Sequence, residues 1–193
     1  MNYKMIMTSP YPETTETIRS LIAELGYPVD IIEDTMIGAA KKVQELVFQG
    51  GYEVIISRAG TAQTIAEMVD LPIVHCDNSD FDILQAFIRA KSLGDKIGFL
   101  TYPEEAFPYK MDRMIEVIGF EVIQLPYRNW DELTSQIYTA AEMGLDVVVG
   151  GGIRAQQLIQ QLGMKGMYIT TSERVIKRAL IRASEVAQYR IAA

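Results

Sequence analysis

The segment Val54-Ile55-Ile56-Ser57-Arg58-Ala59-Gly60-Thr61-Ala62 decides how this chain folds. In it, an unbroken run of β-branched residues passes directly into a glycine-bearing turn and a helical pattern. Such continuous apolar runs are typical of strands that helices cover on both faces of a parallel sheet. The later segment Val147-Val148-Val149-Gly150-Gly151-Gly152-Ile153 has the same organisation. Short apolar runs alternate with helical patterns along the whole chain, so we predict an α/β fold with doubly wound parallel sheets.

Eight strands and eight helices are predicted in alternation. The strands are predicted at 4–8, 29–32, 53–57, 73–76, 96–101, 121–125, 146–149 and 167–170. The helices are predicted at 14–25, 39–49, 61–69, 82–93, 104–118, 131–143, 154–162 and 172–189. Five glycines follow helices, where a left-handed residue commonly ends the helix. They are Gly26, Gly94, Gly119, Gly144 and Gly163.

The two halves of the chain resemble each other when the sequence is shifted by 93 residues. Identical residues then fall on matching strand ends and helix starts, as when Ala62 falls on Ala155. We predict two similar doubly wound lobes, of the flavodoxin or periplasmic-binding type, with a cleft between them. Residues 1–78 plus 172–193 would form the first lobe and residues 79–171 the second. The alternative is that any two α/β halves share this placement of glycine and valine.

Composition and charge exclude several classes of protein. Of the 193 residues, 49% are hydrophobic and 22% are charged, which excludes disorder, collagen and a coiled coil. The net charge of −7 repels phosphate and argues against contact with nucleic acid. One cysteine and one histidine exclude an internal disulfide and a His/Cys zinc site. No apolar run suits a signal peptide or a membrane span, so we expect a cytoplasmic protein without membrane contact.

The turns that follow the strands carry the candidate ligand-binding residues. In open parallel sheets, ligands bind beyond the carboxyl ends of the strands, and a helix N-terminus there attracts an anion. Arg58 has the planar fork that grips a carboxylate, and Ser79 and Ser172 are predicted helix N-caps. The predicted ligand-binding residues are Ser57, Arg58, Gly60, Thr61, Ala62, Ser79, Thr101, Tyr102, Gly151, Gly152, Ile153 and Ser172.

Simpler explanations exist for several of these residues. The turns at Gly60 and Gly152 can be only tight connections, and Arg58 can be a surface salt-bridge partner. The three successive glycines 150–152 point more specifically to a ligand, because they cost backbone entropy without an evident structural need. Neither turn fits a P-loop or the dinucleotide fingerprint, so we predict no cofactor. His75 is expected inside a buried strand, as a core or cleft-wall residue.

An enzymatic function is the alternative interpretation. Cys76 ends a predicted strand, where it can act as the thiolate nucleophile of a racemase-like or decarboxylase-like enzyme. Two-lobed amino-acid racemases use one cysteine from each lobe, whereas the residue matched to Cys76 by the shift is Ile169. The sequence shows no nucleophile with a base and an orienting group, so we predict a binding domain and no enzyme. A module that serves only for dimerisation is a third interpretation.

Five segments occur in the order found in one known family. They are Ser57-Arg58-Ala59-Gly60-Thr61-Ala62, Leu71-Pro72-Ile73-Val74, Ser79-Asp80-Phe81-Asp82-Ile83-Leu84, Lys96-Ile97-Gly98-Phe99 and Gly144-Leu145-Asp146-Val147-Val148-Val149-Gly150-Gly151. Together they resemble the N-terminal sensor domain of propionate-catabolism regulators, which are sigma-54-dependent transcriptional activators. The resemblance implies a two-lobed α/β domain that binds a small anionic effector, such as 2-methylcitrate, and controls a downstream ATPase. Ala59 stands where that family often has glycine.

The resemblance also implies partners beyond this chain. The sequence has no Walker A motif and no recognisable helix-turn-helix. We therefore expect ATPase and DNA-binding output domains on a longer chain that continues from the helix at 172–189. We expect no direct contact of this fragment with nucleic acid, and the sequence leaves a homodimer open. The small anionic metabolite is expected to bridge the lobes, favour a closed state and tilt that last helix.

Overall fold

Two α/β units make up the chain in the computed structural model, which describes residues 2–193. One unit contains the residues up to Ser79 together with Thr171–Ala193, and the other is Asp80–Thr170. Each unit has one four-stranded parallel sheet with helices against it. The predicted fold class of two similar doubly wound parallel-sheet lobes is therefore confirmed.

Strands and helices alternate without exception through the described residues. The strands are β1 (Lys4–Ser9), β2 (Val29–Glu33), β3 (Tyr52–Ser57), β4 (Ile73–His75), β5 (Ile97–Thr101), β6 (Ile123–Pro126), β7 (Val147–Val149) and β8 (Lys165–Met167). The helices are α1 (Pro12–Leu25), α2 (Met36–Gln49), α3 (Ala59–Met68), α4 (Asp80–Lys91), α5 (Met111–Ile118), α6 (Trp130–Glu142), α7 (Ile153–Gln161) and α8 (Glu173–Ala192). Within residues 2–193, no helix is long and apolar enough to cross a membrane.

The two sheets have the same strand order. It is β2-β1-β3-β4 in the first unit and β6-β5-β7-β8 in the second, and every pair is parallel. Adding 93 to the bounds of β2 gives 122–126, and β6 occupies Ile123–Pro126. The same addition carries α2 from 36–49 to 129–142, where α6 occupies Trp130–Glu142. The sequence shift thus corresponds to a repeated structural plan.

Neighbouring residues of β3 pack against different layers of helices, which explains its unbroken apolar run. Val54 and Ile56 lie in one cluster with Ile18 of α1 and Leu180 of α8. Ile55 lies in a second cluster with residues of α2 and α3. All three β3 side chains are fully buried. A polar residue at any of these positions would therefore face a helix rather than water.

The second unit is built around an aromatic pair. The ring of Phe87 on α4 meets the ring of Phe99 on β5 edge to face, with centroids 5.0 Å apart. Both rings are almost completely buried, in a cluster that also contains Val147 and Val149 of β7. Edge-to-face pairs add to the stabilisation from burial alone. This packing holds α4 against the sheet of its unit.

Helix α5 begins at Met111, although the sequence predicted a start at 104. The reason is Pro108, because a proline disfavours helical conformation in the residue before it, here Phe107. Residues 102–110 form neither helix nor strand, and Tyr109 packs edge-on against the Phe99 ring with centroids 5.4 Å apart. Pro108 inside the predicted helix was thus a stronger signal than the apolar spacing of this segment.

The outer strands β4 and β8 are only three residues long. β8 lies earlier than the predicted 167–170, since Met167 already pairs with Val149, the last residue of β7. His75 ends β4 and is exposed, so the expectation that it lies in a buried strand is wrong. The physical reason is that β4 has a neighbour on one side only and is no more than half-buried.

One of the five glycines predicted to end helices has a different role. Gly26, Gly119, Gly144 and Gly163 have positive φ as predicted, whereas Gly94 does not. A Cβ on Gly94 would lie 2.3 Å from the Cβ of Asp146. The Asp146 carboxylate accepts the N–H groups of the two residues after Gly94, at 3.0 and 2.9 Å. Gly94 is therefore required for this close approach.

Candidate functional site

Arg58 lies at the carboxyl end of β3, as the N-cap residue of α3. Its Nη1 donates to Asn78 Oδ1 at 3.0 Å and to Thr171 Oγ1 at 2.6 Å. The Thr171 hydroxyl in turn donates to Asn78 Oδ1 at 2.6 Å. All three residues belong to the first unit, and they fix the position of a half-buried guanidinium.

The partners of Arg58 are neutral. Besides Asn78 and Thr171, its Nη2 lies 3.9 Å from Cys76 Sγ. No acidic side chain in the described part of the chain forms an ion pair with Arg58. A partly desolvated cation with only neutral acceptors has unused capacity for an anion, and a carboxylate fits the guanidinium fork well. The simpler explanation, that Arg58 serves only as a surface salt-bridge partner, is not supported by any ion pair among the described residues.

Sequence reasoning missed Asn78 and Thr171, although one signal connects them. They are 93 residues apart, so the shift that relates the two halves of the sequence matches them to each other. Asn78 lies just before the chain leaves the first unit, and Thr171 is where the chain returns to it. Arg58 therefore binds both connecting segments at once.

The N-terminus of α3 next to Arg58 has no side-chain cap. The predicted glycine of this turn is Gly60, but the residue with positive φ is Ala59, at +46°. Left-handed conformation is unfavourable for a residue with a Cβ. The uncapped end supplies free N–H groups and a partial positive charge beside the guanidinium.

Three predicted site residues in this turn are committed to structural contacts. Ser57 is 1% exposed, and its Oγ lies 2.6 Å from Thr8 Oγ1. Thr61 Oγ1 accepts the N–H of Met36 at 2.9 Å. Ala62 is 1% exposed, and its N–H donates to the carbonyl of Arg58 at 2.9 Å. These residues shape the turn, and direct contact with a ligand stays a prediction for them.

The two predicted N-cap serines lie where the chain passes between the units. Ser172 is the N-cap of α8, and its Oγ accepts the N–H of Val175 at 3.4 Å, which confirms the predicted cap. Ser79 immediately precedes α4. Ser172 directly follows Thr171. The residue that accepts a hydrogen bond from Arg58 therefore immediately precedes the N-cap of α8.

The glycine run in the second unit has a structural cause. Gly150, Gly151 and Gly152 have φ of +92°, +87° and +89°. A Cβ on Gly151 would lie 2.7 Å from both Ala155 Cβ and Leu100 Cδ1. The expectation that the three glycines have no structural need is therefore wrong, since residues with side chains rarely adopt these φ values. A ligand role for Gly151 and Gly152 stays a prediction.

The remaining predicted residues of the second unit lie at carboxyl ends of its strands. Thr101 ends β5 and is buried, and its carbonyl accepts the N–H of Tyr127 at 2.9 Å. The half-buried ring of Tyr102 meets the Tyr127 ring edge-on, with centroids 6.1 Å apart. Ile153 is the half-buried first residue of α7. Their positions are those expected for ligand contacts in an open sheet.

Comparison with known proteins decides the family. Residues 23–193 match the model of the family described as propionate catabolism activator. The chain belongs to the propionate catabolism activator family. It is thus a sensor domain of transcription regulators, as the series of sequence segments predicted.

One solved structure has the same fold as this sensor domain, and two others match it less closely. An NtrC family transcriptional regulator from Clostridium acetobutylicum matches with a TM-score of 0.87 at 20% identity, over 98% of this chain and 99% of that one. A conserved domain protein from Vibrio cholerae matches at 13% identity and TM-score 0.49, over 100% and 86%. A LacI family repressor from Corynebacterium glutamicum matches at 14% and 0.47, over 95% and 91%.

Cys76 has little access to a substrate in the sensor domain. It is 1% exposed, and its N–H donates to the carbonyl of Ser57 at 2.9 Å. A nucleophile must touch its substrate and lie within reach of a base. Across residues 2–193, no group of three or more His, Cys, Asp or Glu is placed to hold a metal ion.

Proposed function

We propose that this sensor domain binds a small carboxylate metabolite through Arg58 and transmits binding to output domains on a longer chain. The observation that carries the proposal is the half-buried Arg58 guanidinium, held by neutral acceptors at the carboxyl end of β3. The chain belongs to the propionate catabolism activator family, and the sequence resemblance implies a small anionic effector such as 2-methylcitrate, which supports a carboxylate ligand. The proposed function is regulatory and needs no catalytic step.

Arg58 also supports a route from the ligand to α8. Its Nη1 holds Asn78 and Thr171, and Thr171 directly precedes the Ser172 cap of α8. A carboxylate that binds the guanidinium competes with these acceptors for its N–H groups. Ligand binding would then shift the population of states at both connecting segments, according to its differential affinity for them. In the longer chain, α8 would pass this shift to the ATPase that serves sigma-54-dependent transcription.

The proposed contact between the metabolite and Arg58 involves no residue of the second unit. That the metabolite also reaches Thr101, Tyr102, Gly151, Gly152 and Ile153 stays a prediction. The same holds for a ligand that bridges the two lobes. The strongest support from the structure concerns the first unit alone.

Calorimetric titration with 2-methylcitrate, citrate and succinate tests the proposal. Arg58→Ala should weaken binding by roughly 2–5 kcal/mol, because a partly desolvated charge pair is lost. Arg58→Lys keeps the charge but not the planar fork, so it should recover only part of the affinity. Arg19→Ala is the matched control, since Arg19 is an exposed arginine of the same unit. Unchanged affinity in Arg58→Ala would remove Arg58 from the site.

A further inference from the structure

The connection between β5 and α5 is longer than its counterpart in the first unit. Residues 102–110 lie between Thr101 and Met111, and we call them the β5–α5 segment. In the first unit, the connection between β1 and α1 consists of Pro10 and Tyr11 alone. The two sheets have one strand order, so their shared plan does not require a long connection at this point. Long connections at the carboxyl ends of parallel strands are where α/β proteins commonly carry binding residues.

The 93-residue shift shows what differs in the β5–α5 segment. It matches Phe107 to Thr14, which lies in α1 and is 5% exposed. Phe107, in contrast, is 77% exposed. A single exposed ring is common on protein surfaces, so the argument depends on the place of this one. Where the first unit has a buried turn of helix, the second unit has a non-helical stretch that carries an exposed phenyl ring.

Aromatic contacts hold both ends of the β5–α5 segment. At its start, the ring of Tyr102 meets the ring of Tyr127 edge-on, with centroids 6.1 Å apart. Near its end, the ring of Tyr109 meets the ring of Phe99 on β5, with centroids 5.4 Å apart. The segment thus leaves β5 at its carboxyl end and comes back to a residue of the same strand. Its middle is therefore kept close to the carboxyl end of β5.

The middle of the segment is a turn with exposed side chains. The N–H of Phe107 donates to the carbonyl of Glu104 at 3.2 Å, and residues 105–108 are all exposed. A stretch with fixed ends and few buried side chains can change its conformation at a small cost in free energy. The phenyl ring can therefore move from water onto a ligand while Tyr102 and Tyr109 keep their contacts.

The charges of the segment indicate which part of a ligand it covers. Glu104 and Glu105 precede the ring, and the only cationic residue between 102 and 110 is Lys110. Two carboxylates beside one ammonium group repel the anionic part of a metabolite at short distance. The Phe107 ring, in contrast, offers apolar surface to an alkyl group.

We propose that the β5–α5 segment is a flap that folds over the bound metabolite and packs Phe107 on its alkyl part. This inference rests on the proposed function, in the form in which the metabolite reaches Thr101 and Tyr102 at the carboxyl end of β5. Phe107 then determines specificity. It favours a carboxylate with an alkyl branch over one without it, because an alkyl group packed on the ring is removed from water.

Titrations with citrate and 2-methylcitrate, which differ by one methyl group, test the flap. Phe107→Ala should weaken the affinity for 2-methylcitrate roughly ten-fold, because the ligand then buries much less apolar surface. The same variant should lose the preference for 2-methylcitrate over citrate, whereas Phe107→Leu should keep most of it. Phe48→Ala is the matched control, since Phe48 is a 93% exposed phenylalanine on α2, and both affinities should stay unchanged in it. Neither ring is buried in the free protein, so neither replacement by alanine should lower its Tm.

Hydrogen exchange measures the closure itself. Saturating 2-methylcitrate should slow the exchange of the amides of residues 104–107 in the wild type, and this protection should be lost in Phe107→Ala at saturating ligand. Bound wild-type protein with no added protection over these residues would overturn the inference. Unchanged affinity for both carboxylates in Phe107→Ala would overturn it as well.

Arg58→Ala separates the flap from the proposed function. Binding that is lost in Arg58→Ala but unchanged in Phe107→Ala overturns the flap and leaves the proposed function standing. Binding that is weakened in Phe107→Ala but unchanged in Arg58→Ala supports the flap and contradicts the role proposed for Arg58. Wild-type protein that binds neither carboxylate contradicts both.

Discussion

Replacing Ala59 by glycine should stabilise the protein, against the usual effect of glycine in a helix. Ala59 has φ of +46° at the first position of α3. Left-handed conformation costs a residue with a Cβ roughly 1–2 kcal/mol, and glycine avoids this cost. Glycine loses about 0.5–1 kcal/mol more backbone entropy on folding than alanine does. The methyl group of Ala59 is only half-buried, so its removal exposes little apolar surface.

The difference between these contributions is a gain of roughly 0.5–1 kcal/mol for Ala59→Gly. For a chain of this length, the Tm should rise by about 1–4 °C. Calorimetry and urea denaturation with an unchanged m-value would measure it. Ala62→Gly is the matched control, three residues further along the same helix. Ala62 is fully buried without positive φ, so its replacement should destabilise the protein by about 1 kcal/mol or more.

The two variants make the same chemical change, but Ala59→Gly is expected to raise the stability of the protein and Ala62→Gly to lower it. A lower Tm in Ala59→Gly, comparable to that of Ala62→Gly, would refute the argument from backbone strain at the turn beside Arg58. It would also remove the physical reason for the glycine that the family often has at this position.

Two further predictions concern single side chains. Gly166→Ala should destabilise the protein by about 1–3 kcal/mol, because its Cβ would lie 1.7 Å from Oε1 of the buried Gln156, whose Nε2 is held by a hydrogen bond to the Gly150 carbonyl at 2.7 Å. Thermal denaturation measures this, and an unchanged Tm would contradict it. Burial, the hydrogen bond to Asp30 and the Asp30 charge raise the pKa of Tyr52 to about 12 from 10.0. The stabilisation from its neutral hydroxyl should therefore be complete below pH 10 and lost as the pH rises through 12. The difference in Tm between wild type and Tyr52→Phe should shrink over this range, and absorbance at 295 nm should show a late-titrating tyrosine that the Tyr52→Phe variant lacks.

The fold was predictable because its main determinants are local in sequence. Val54, Ile55 and Ile56 predict a strand covered on both faces, and the structure places helices on both faces of β3. The 93-residue shift predicted two sheets of one plan, and both have the same strand order. The start of α5 was predictable only from Pro108, because the apolar spacing continues before it.

The candidate site was predictable in part. Arg58 stands out by residue type and by its place after a buried strand. Its acceptor Thr171 lies 113 residues away in sequence, and only the fold brings the two together. The left-handed conformation of Ala59 has no signal in the sequence either, because alanine does not indicate a positive φ.

The proposed function gives Arg58 two roles, which one experiment can separate. As the partner of Asn78 and Thr171, Arg58 would contribute to the stability of the free protein, and as an unneutralised cation it would attract the metabolite. Asn78→Ala removes an acceptor but leaves the guanidinium in place. If Arg58 only supported the connecting segments, both variants would lower stability and neither would change carboxylate affinity more than the other. If Arg58 binds the metabolite, Arg58→Ala should weaken carboxylate affinity by roughly 2–5 kcal/mol, whereas Asn78→Ala should strengthen it by freeing an N–H group for the ligand.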